Sequence, residues 1–398
     1  MHIGYIKKFI LCILLLLMLT VVGARAEEFP RLSVGYRGEE VLSVKQRLYA
    51  LGYYQRDSFT RQYTEDTAAK ICLFQRVNGL PETGEVDAAT AEALFSQDAA
   101  RAPRPTMRPL ASPPPTPVPD WPERDEDGYL AGAGEYYYEN PQEGLWIYLS
   151  ARLQITIRRL EDAKIKLRWF ETDILTRDGE ELRTKVVDAA LRGRGFQNPG
   201  ALARQAGFVL AFSDDFFANR VNTKETLGVI IRGGKLLSEK TNAKRGHHLP
   251  NLDMMAQYPD GTLAVYRCNE ITAAELLAQG AVNVFSFGPI LIRDGEIEEM
   301  VYDYYKSLEP RHALGMIAPG HYFLLSVQGR TKASEGTTLQ RVAEMLRAHG
   351  VTQALNLDGG NTMALVFHGE ILNEFAVYNG KKFIRTVPSL IGVGQTAY

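Results

Sequence analysis

The stretch HYFLLSVQGRTKASEGTTLQRVAEMLRAHGVTQALNLDGG, His321 to Gly360, decides the class of the fold. HYFLLSVQGR reads as a strand and VTQALNLDGG as another, with TTLQRVAEMLRAHG between them as a helix. Thr337 and Gln340 supply a capping box and Gly350 a stop. This strand-helix-strand unit carries Asp358 to the end of a strand. Around it, YPDGTLAVY, IIRGGKLL and ILIRDGEI each join two strand-like runs across a tight turn, at Asp260-Gly261, Gly233-Gly234 and Asp294-Gly295. Those are hairpin signals and imply antiparallel pairing. The region from 134 to 398 is therefore expected to be α+β, with a mixed, largely antiparallel sheet and helices.

In ALNLDGGNTMALVF, Ala354 to Phe367, two apolar runs are separated by Asp358, Gly359, Gly360, Asn361 and Thr362. A hairpin needs only Asp-Gly. A carboxylate, two glycines, an amide and a hydroxyl on one connection point to a site, although an Asp before Gly also commonly hydrogen-bonds its own loop. Other strand ends are polar in the same way. AFSDDFF carries Ser213, Asp214 and Asp215, SFGPILI carries Gly288-Pro289, EPRHALGMI carries Arg311 and His312, and VQGR ends on Arg330.

The whole chain has 398 residues and 45% apolar content, enough for two domains with a sizeable core. Forty-five Lys and Arg against 47 Asp and Glu leave a net charge of −2, and this balance does not point to a nucleic-acid partner. At the N-terminus, Lys7 and Lys8 precede an apolar run from Phe9 to Val22 and then Ala24-Arg25-Ala26. The pattern is that of a signal peptide over 1–26, cleaved after Ala26. The run is shorter than the roughly 20 residues a bilayer span requires, so no stable membrane span is expected after cleavage. Cys72 and Cys268 then remain, too few for a disulfide framework, and neither they nor His247-His248 have zinc-ligand spacing. No metal or other cofactor is expected.

From Ser33 to Phe95 the pattern is helical. Val41, Val44, Leu48 and Leu51 share one face of a helix stopped by Gly52. A second helix from about Thr64 carries Ile71 and Phe74 and ends at Asn78-Gly79, and Asp87 caps a third with Thr90, Ala93 and Leu94. Gly38, Gln46, Leu51-Gly52-Tyr53, Phe74-Gln75, Asn78-Gly79-Leu80, Thr83-Gly84 and Val86-Asp87 together resemble the peptidoglycan-binding domain of wall hydrolases. The resemblance implies a small three-helix domain over 30–97 that holds the protein on peptidoglycan or another cell-wall glycan. Nine prolines between Pro103 and Pro122 then favour a semi-stiff extended spacer, so 98–133 reads as a tether.

The region from about Ala206 to Val393 resembles the phosphodiester glycosidase family through LNLDGGNTM, RHALGMIAPGHY, QGR, SEGTTL and SFGPILIRDG. Four positions depart from the usual family motifs: Ser213 with Asp214-Asp215, His312 for a threonine, Gln328 for an aspartate, and Asn361 for a glycine or serine. The resemblance implies a hydrolase that cleaves a sugar-1-phosphodiester of an N-acetylglucosamine-like sugar, which the signal pattern and the N-terminal module would make exported and wall-associated. The leaving group is a phosphate monoester, a weak base that needs little help from a general acid. Asp358 would serve as nucleophile or base with Asp215 as its catalytic partner. Arg311 and Arg330 would bind phosphate, and Gly359 and Gly360 would let main-chain N–H groups approach it. Asn361, Thr362, Ser213, Asp214 and Gly288 would complete the substrate site.

Plainer readings stand beside these. Arg311 and Arg330 suit structural ion pairs equally well, His312 suits packing, and Glu335 suits the turn at the helix start. Two other functions stay open: a non-catalytic wall glycan-binding protein, and a phosphodiesterase in which Asp214, Asp215 and Asp358 hold a cation.

Overall fold

The computed structural model describes residues 29–54, 60–102, 121–216, 226–240, 252–268, 270–303 and 307–397. The signal segment, the proline-dense centre of the tether and His247-His248 lie outside the described residues. The chain divides into two compact units, Met1–Thr106 and Met107–Tyr398.

In the first unit the helices are Glu39–Ala50, Glu65–Val77 and Ala88–Phe95. Thr64 caps the second helix through the Thr67 N–H, and Asp87 caps the third through the Thr90 N–H. The apolar stripes meet in one core containing Val41, Val44, Leu48, Ile71, Phe74 and Leu94. Gln75 is buried at its centre. Its Nε2 donates to Thr83 Oγ1, Glu85 O and Thr90 Oγ1, and its Oε1 accepts from the Gly84 N–H. A buried amide with this many partners ties the loop at 83–85 to two helices. The residues that identify the module are therefore largely those that hold it together.

Among the described residues the second unit contains a nine-stranded sheet and two five-stranded sheets. Across the large sheet the order is Glu135–Asn140, Leu145–Ser150, Leu153–Asp162, Leu167–Thr176, His321–Val327, Arg311–Ala318, Gln353–Leu357, Ile290–Arg293 and Glu296–Ile297. Every described strand pairing is antiparallel. The mixed character expected of this sheet is a relation between two strands rather than a ladder. His321–Val327 and Gln353–Leu357 each pair with the Arg311–Ala318 strand between them and so run parallel to one another. Helix Leu339–Ala348 makes the crossover.

That helix begins one residue later than the motif suggests. Thr338 is the cap, while Thr337 exchanges main-chain hydrogen bonds with Glu309 and Gln340 donates to Glu344. One face of the large sheet packs Trp169, Leu291, Phe323 and Leu325 with the helix residues Val342 and Leu346. The other face packs Ile155, Leu324 and Leu355 with Phe212, Phe285, Leu365 and Ile391 of the smaller sheets. Apolar residues on both faces of its central strands are what a sheet covered on both sides requires.

The ends of the segment assigned to the tether belong to the units. Ala102 N–H donates to the Leu51 carbonyl, whereas Tyr129 is buried with the Arg177 guanidinium 4.0 Å over its ring. No helix among the described residues is long and apolar enough to cross a membrane.

Candidate active site

The Asp358 loop is long because it changes sheets. Strand Gln353–Leu357 belongs to the nine-stranded sheet, and the next strand, Leu365–Phe367, pairs with Leu210–Ser213 in a five-stranded one. Asp358 leaves the first strand with its N–H donated to the Asp214 carbonyl at 3.2 Å. Gly359 then passes so close to the neighbouring strand start that a Cβ would lie 2.4 Å from the Pro310 carbonyl oxygen. Gly360 has φ +59° and donates its N–H to that same carbonyl, 3.1 Å away. Gly359 is thus explained by close packing on Pro310 and Gly360 by its positive φ, and the Gly360 N–H expected to approach phosphate has a protein acceptor.

Around this loop lies a cavity of about 290 Å³. Its wall is formed by Asp358, Gly359, Gly360, Asn361, Glu309, Pro310, Arg311, Arg330, Tyr378 and Arg385, with Phe287, Asn356 and Leu357 completing the lining. Three arginines against two carboxylates leave one excess positive charge, which suits an anionic ligand.

Each arginine is positioned differently. Arg330, with φ +54°, directs Nε to Glu309 Oε2 at 2.7 Å and Nη2 to the same oxygen, while Nη1 donates to Asn361 Oδ1 at 3.2 Å. Arg311 donates from Nε to Thr337 O and from Nη2 to Ser307 O. Arg385 Nη1 donates to the Thr362 hydroxyl at 3.0 Å and lies 3.9 Å from Asp358 Oδ2. The Arg330 contacts include the ion pair that the sequence left open.

Several predicted site residues stand behind this wall instead of on it. Asp214 and Asp215 are 1% and 0% exposed, and Arg232 Nη2 lies 3.2 and 2.7 Å from their carboxylates. Asp215 also accepts from the Ser286 N–H, and Asp214 from the Phe216 N–H and the Ser389 hydroxyl. Carboxylates sealed from water require such compensation. They do not form a cation site with Asp358; among the described residues, no three His, Cys, Asp or Glu side chains converge as one. The Ser213 hydroxyl accepts from the Ala364 N–H, and Gly288 exchanges hydrogen bonds with Asn356. Thr362 is buried and reaches the site through Arg385. Asn361 lines the cavity and is also a strut, with Nδ2 donated to Ala376 O and Phe383 O at 2.7 and 2.9 Å.

His312 is fully buried, 3.0 Å from Ser326 Oγ through Nδ1, and burial, partly opposed by the main chain of Ser213, pushes its pKa down to about 3. Glu335 pairs with Lys166 on the surface at 3.0 Å.

Three lining residues escaped the motifs. Glu309 is the first residue of EPRHALGMI, just before Pro310-Arg311. Tyr378 and Arg385 lie in VYNGKKFIR, where Asn379-Gly380 is a hairpin signal, with φ +48° and +73°. Phe216, at φ +45°, places its ring centre 5.5 Å from the Arg385 guanidinium, so the Asp214-Asp215 turn reaches the site through its neighbour.

Residues 206–394 match the family described as "Phosphodiester glycosidase", and residues 37–94 the family described as "Putative peptidoglycan binding domain". By these matches residues 206–394 are similar to phosphodiester glycosidase domains and residues 37–94 to peptidoglycan-binding domains. The SPbeta prophage-derived uncharacterized protein YomE of Bacillus subtilis (strain 168) is 28% identical over 155 residues, 38% of this chain and 23% of that protein. N-acetylglucosamine-1-phosphodiester alpha-N-acetylglucosaminidase of Bos taurus is 28% identical over 186 residues, 42% of this chain and 33% of that protein. The Mus musculus enzyme of that name is 27% identical over 219 residues, 50% and 40% of the two chains. The matched regions span less than half of each relative's length. Among solved structures, the zebrafish catalytic domain of that enzyme, auto-inhibited by its pro-peptide, aligns with TM-score 0.49 and 19% identity over 62% of this chain and 84% of that one.

Proposed function

We propose that the protein is an exported hydrolase that cleaves glycosyl phosphodiesters, between C1 of an N-acetylglucosamine-like sugar and its phosphate, in a cell-wall or extracellular glycan. The observation that carries this reading is Asp358 at the wall of a cavity with Arg311, Arg330 and Arg385, inside the segment that matches the glycosidase family. The net reaction breaks the C1–O bond and adds the elements of water, the hydroxyl to C1 and the proton to the phosphate side, giving a free sugar and a phosphomonoester. Asp358 acts as nucleophile or base, and Arg385 and Arg311 take the phosphate. Glu309, rather than the buried Asp215, is the second carboxylate at the cavity and holds Arg330 in place. The signal pattern supports export, and the N-terminal module supports attachment to wall glycan.

The test is to incubate the full-length mature chain with an N-acetylglucosamine 1-phosphodiester and follow both products. Free sugar together with phosphomonoester is expected. Sugar 1-phosphate with a free alcohol would mean cleavage on the other side of phosphorus and would overturn the reading. Silence on sugar phosphodiesters combined with sedimentation on wall sacculi would favour a non-catalytic glycan binder. A chain beginning at residue 121 should lose that sedimentation.

A further inference from the structure

We propose that Tyr378 is the platform on which the sugar ring of the substrate stacks, an inference that rests on reading the cavity as a glycosyl-phosphodiester site. The ring lines the cavity yet is 54% exposed, and the Arg330 guanidinium carbon lies 5.8 Å from its centre. Its position is nevertheless tightly specified.

Tyr378 belongs to a hairpin of two residues per strand, Val377–Tyr378 with Lys381–Lys382. So short a ribbon does not hold its own shape in water. Asn361 holds its base by donating to the carbonyls of Ala376 and Phe383, and Val377 N–H donates to the Arg330 carbonyl. The loop that begins with Asp358 thus also sets the place of Tyr378. This gives a physical account of Asn361, the departure from the family motif that a glycine or serine could not replace in spanning both carbonyls and Arg330.

With phosphate on the arginines and the anomeric carbon at Asp358, the sugar needs an apolar surface for its C–H face. A tyrosine ring offers that surface with few rotatable bonds. The contact is made equally in the ground and transition states, so it governs binding and not the chemical step.

Kinetics on the full-length chain test this. Tyr378→Ala should raise KM about tenfold with kcat within about twofold, while Tyr378→Phe and Tyr378→Trp keep KM near the wild-type value. An unchanged KM in Tyr378→Ala, or a fall in kcat alone, overturns the proposal. A separate arm does not depend on turnover: the indole introduced by Tyr378→Trp is titrated with N-acetylglucosamine 1-phosphate. A saturable fluorescence change supports stacking, and its absence overturns it even if the enzyme is active. A protein that shows the fluorescence change but no hydrolysis keeps the platform and loses the proposed reaction.

Discussion

Asp358 and Asp214 meet through the main chain, the N–H of Asp358 donating to the carbonyl of Asp214 at 3.2 Å, while their side chains serve different surroundings. The Asp358 carboxylate borders the cavity, near Arg385. That of Asp214 is buried against Arg232. The main-chain link keeps the loop in place whatever the charge on Asp358. Asp358→Asn should therefore fold with an unchanged circular dichroism spectrum and lose at least about a hundredfold in kcat, the low end of what a positioned acid-base group contributes. Near-normal turnover would remove Asp358 from the reaction.

Arg232 serves two sealed carboxylates, so its loss should be felt in stability. Arg232→Met removes a cation that pairs with both buried carboxylates, a change that costs about 3–5 kcal/mol. Urea unfolding should show a lowered midpoint with an ordinary slope. A midpoint equal to the wild type would mean that the pair is not sealed as described.

The cavity arginines should separate phosphate binding from sugar binding. Arg385→Ala removes a charged group from the Asp358 side of the cavity, and Arg311→Lys keeps charge but loses the planar guanidinium proposed to take phosphate. Each lost charge-assisted bond is worth about 1.5–3 kcal/mol, on the order of tenfold to a hundredfold in affinity. Calorimetric titration should show weakened binding of a phosphodiester analogue for both variants, with little change for the free sugar. Equal losses for both ligands would assign these residues to the fold.

His312 gives the second unit an acid sensitivity whose sign is fixed. Its pKa in the folded protein is about 3, against an ordinary 6.5, because burial disfavours the cation. Below pH 6.5 the unfolded chain therefore binds a proton that the folded one does not. Stability is lost as pH falls from about 6.5 toward 3, by on the order of 1 kcal/mol per pH unit. Unfolding midpoints measured across that window should fall more steeply for the wild type than for His312→Asn. Parallel curves would show that other groups carry the acid dependence.

Much of this molecule is local in origin. Thr64 and Asp87 as caps, the turns at Gly233-Gly234, Asp260-Gly261 and Asp294-Gly295, and the strand-helix-strand unit ending at Asp358 follow from short-range sterics and periodicity, which neighbouring residues determine among themselves. The family motifs likewise lie within continuous stretches. What only the tertiary structure decided is which polar side chains at strand ends share one space. Arg232 is in sequence merely a residue before Gly-Gly, yet in the core it pairs with two strand-end aspartates. Arg385 and Tyr378 come from a late hairpin whose docking depends on Asn361. Asp215 and Asp358 look alike in sequence, each a carboxylate at a strand end. They differ because one strand end is covered by other sheets and the other opens on a cavity, and burial of a charge is a property of everything packed around it.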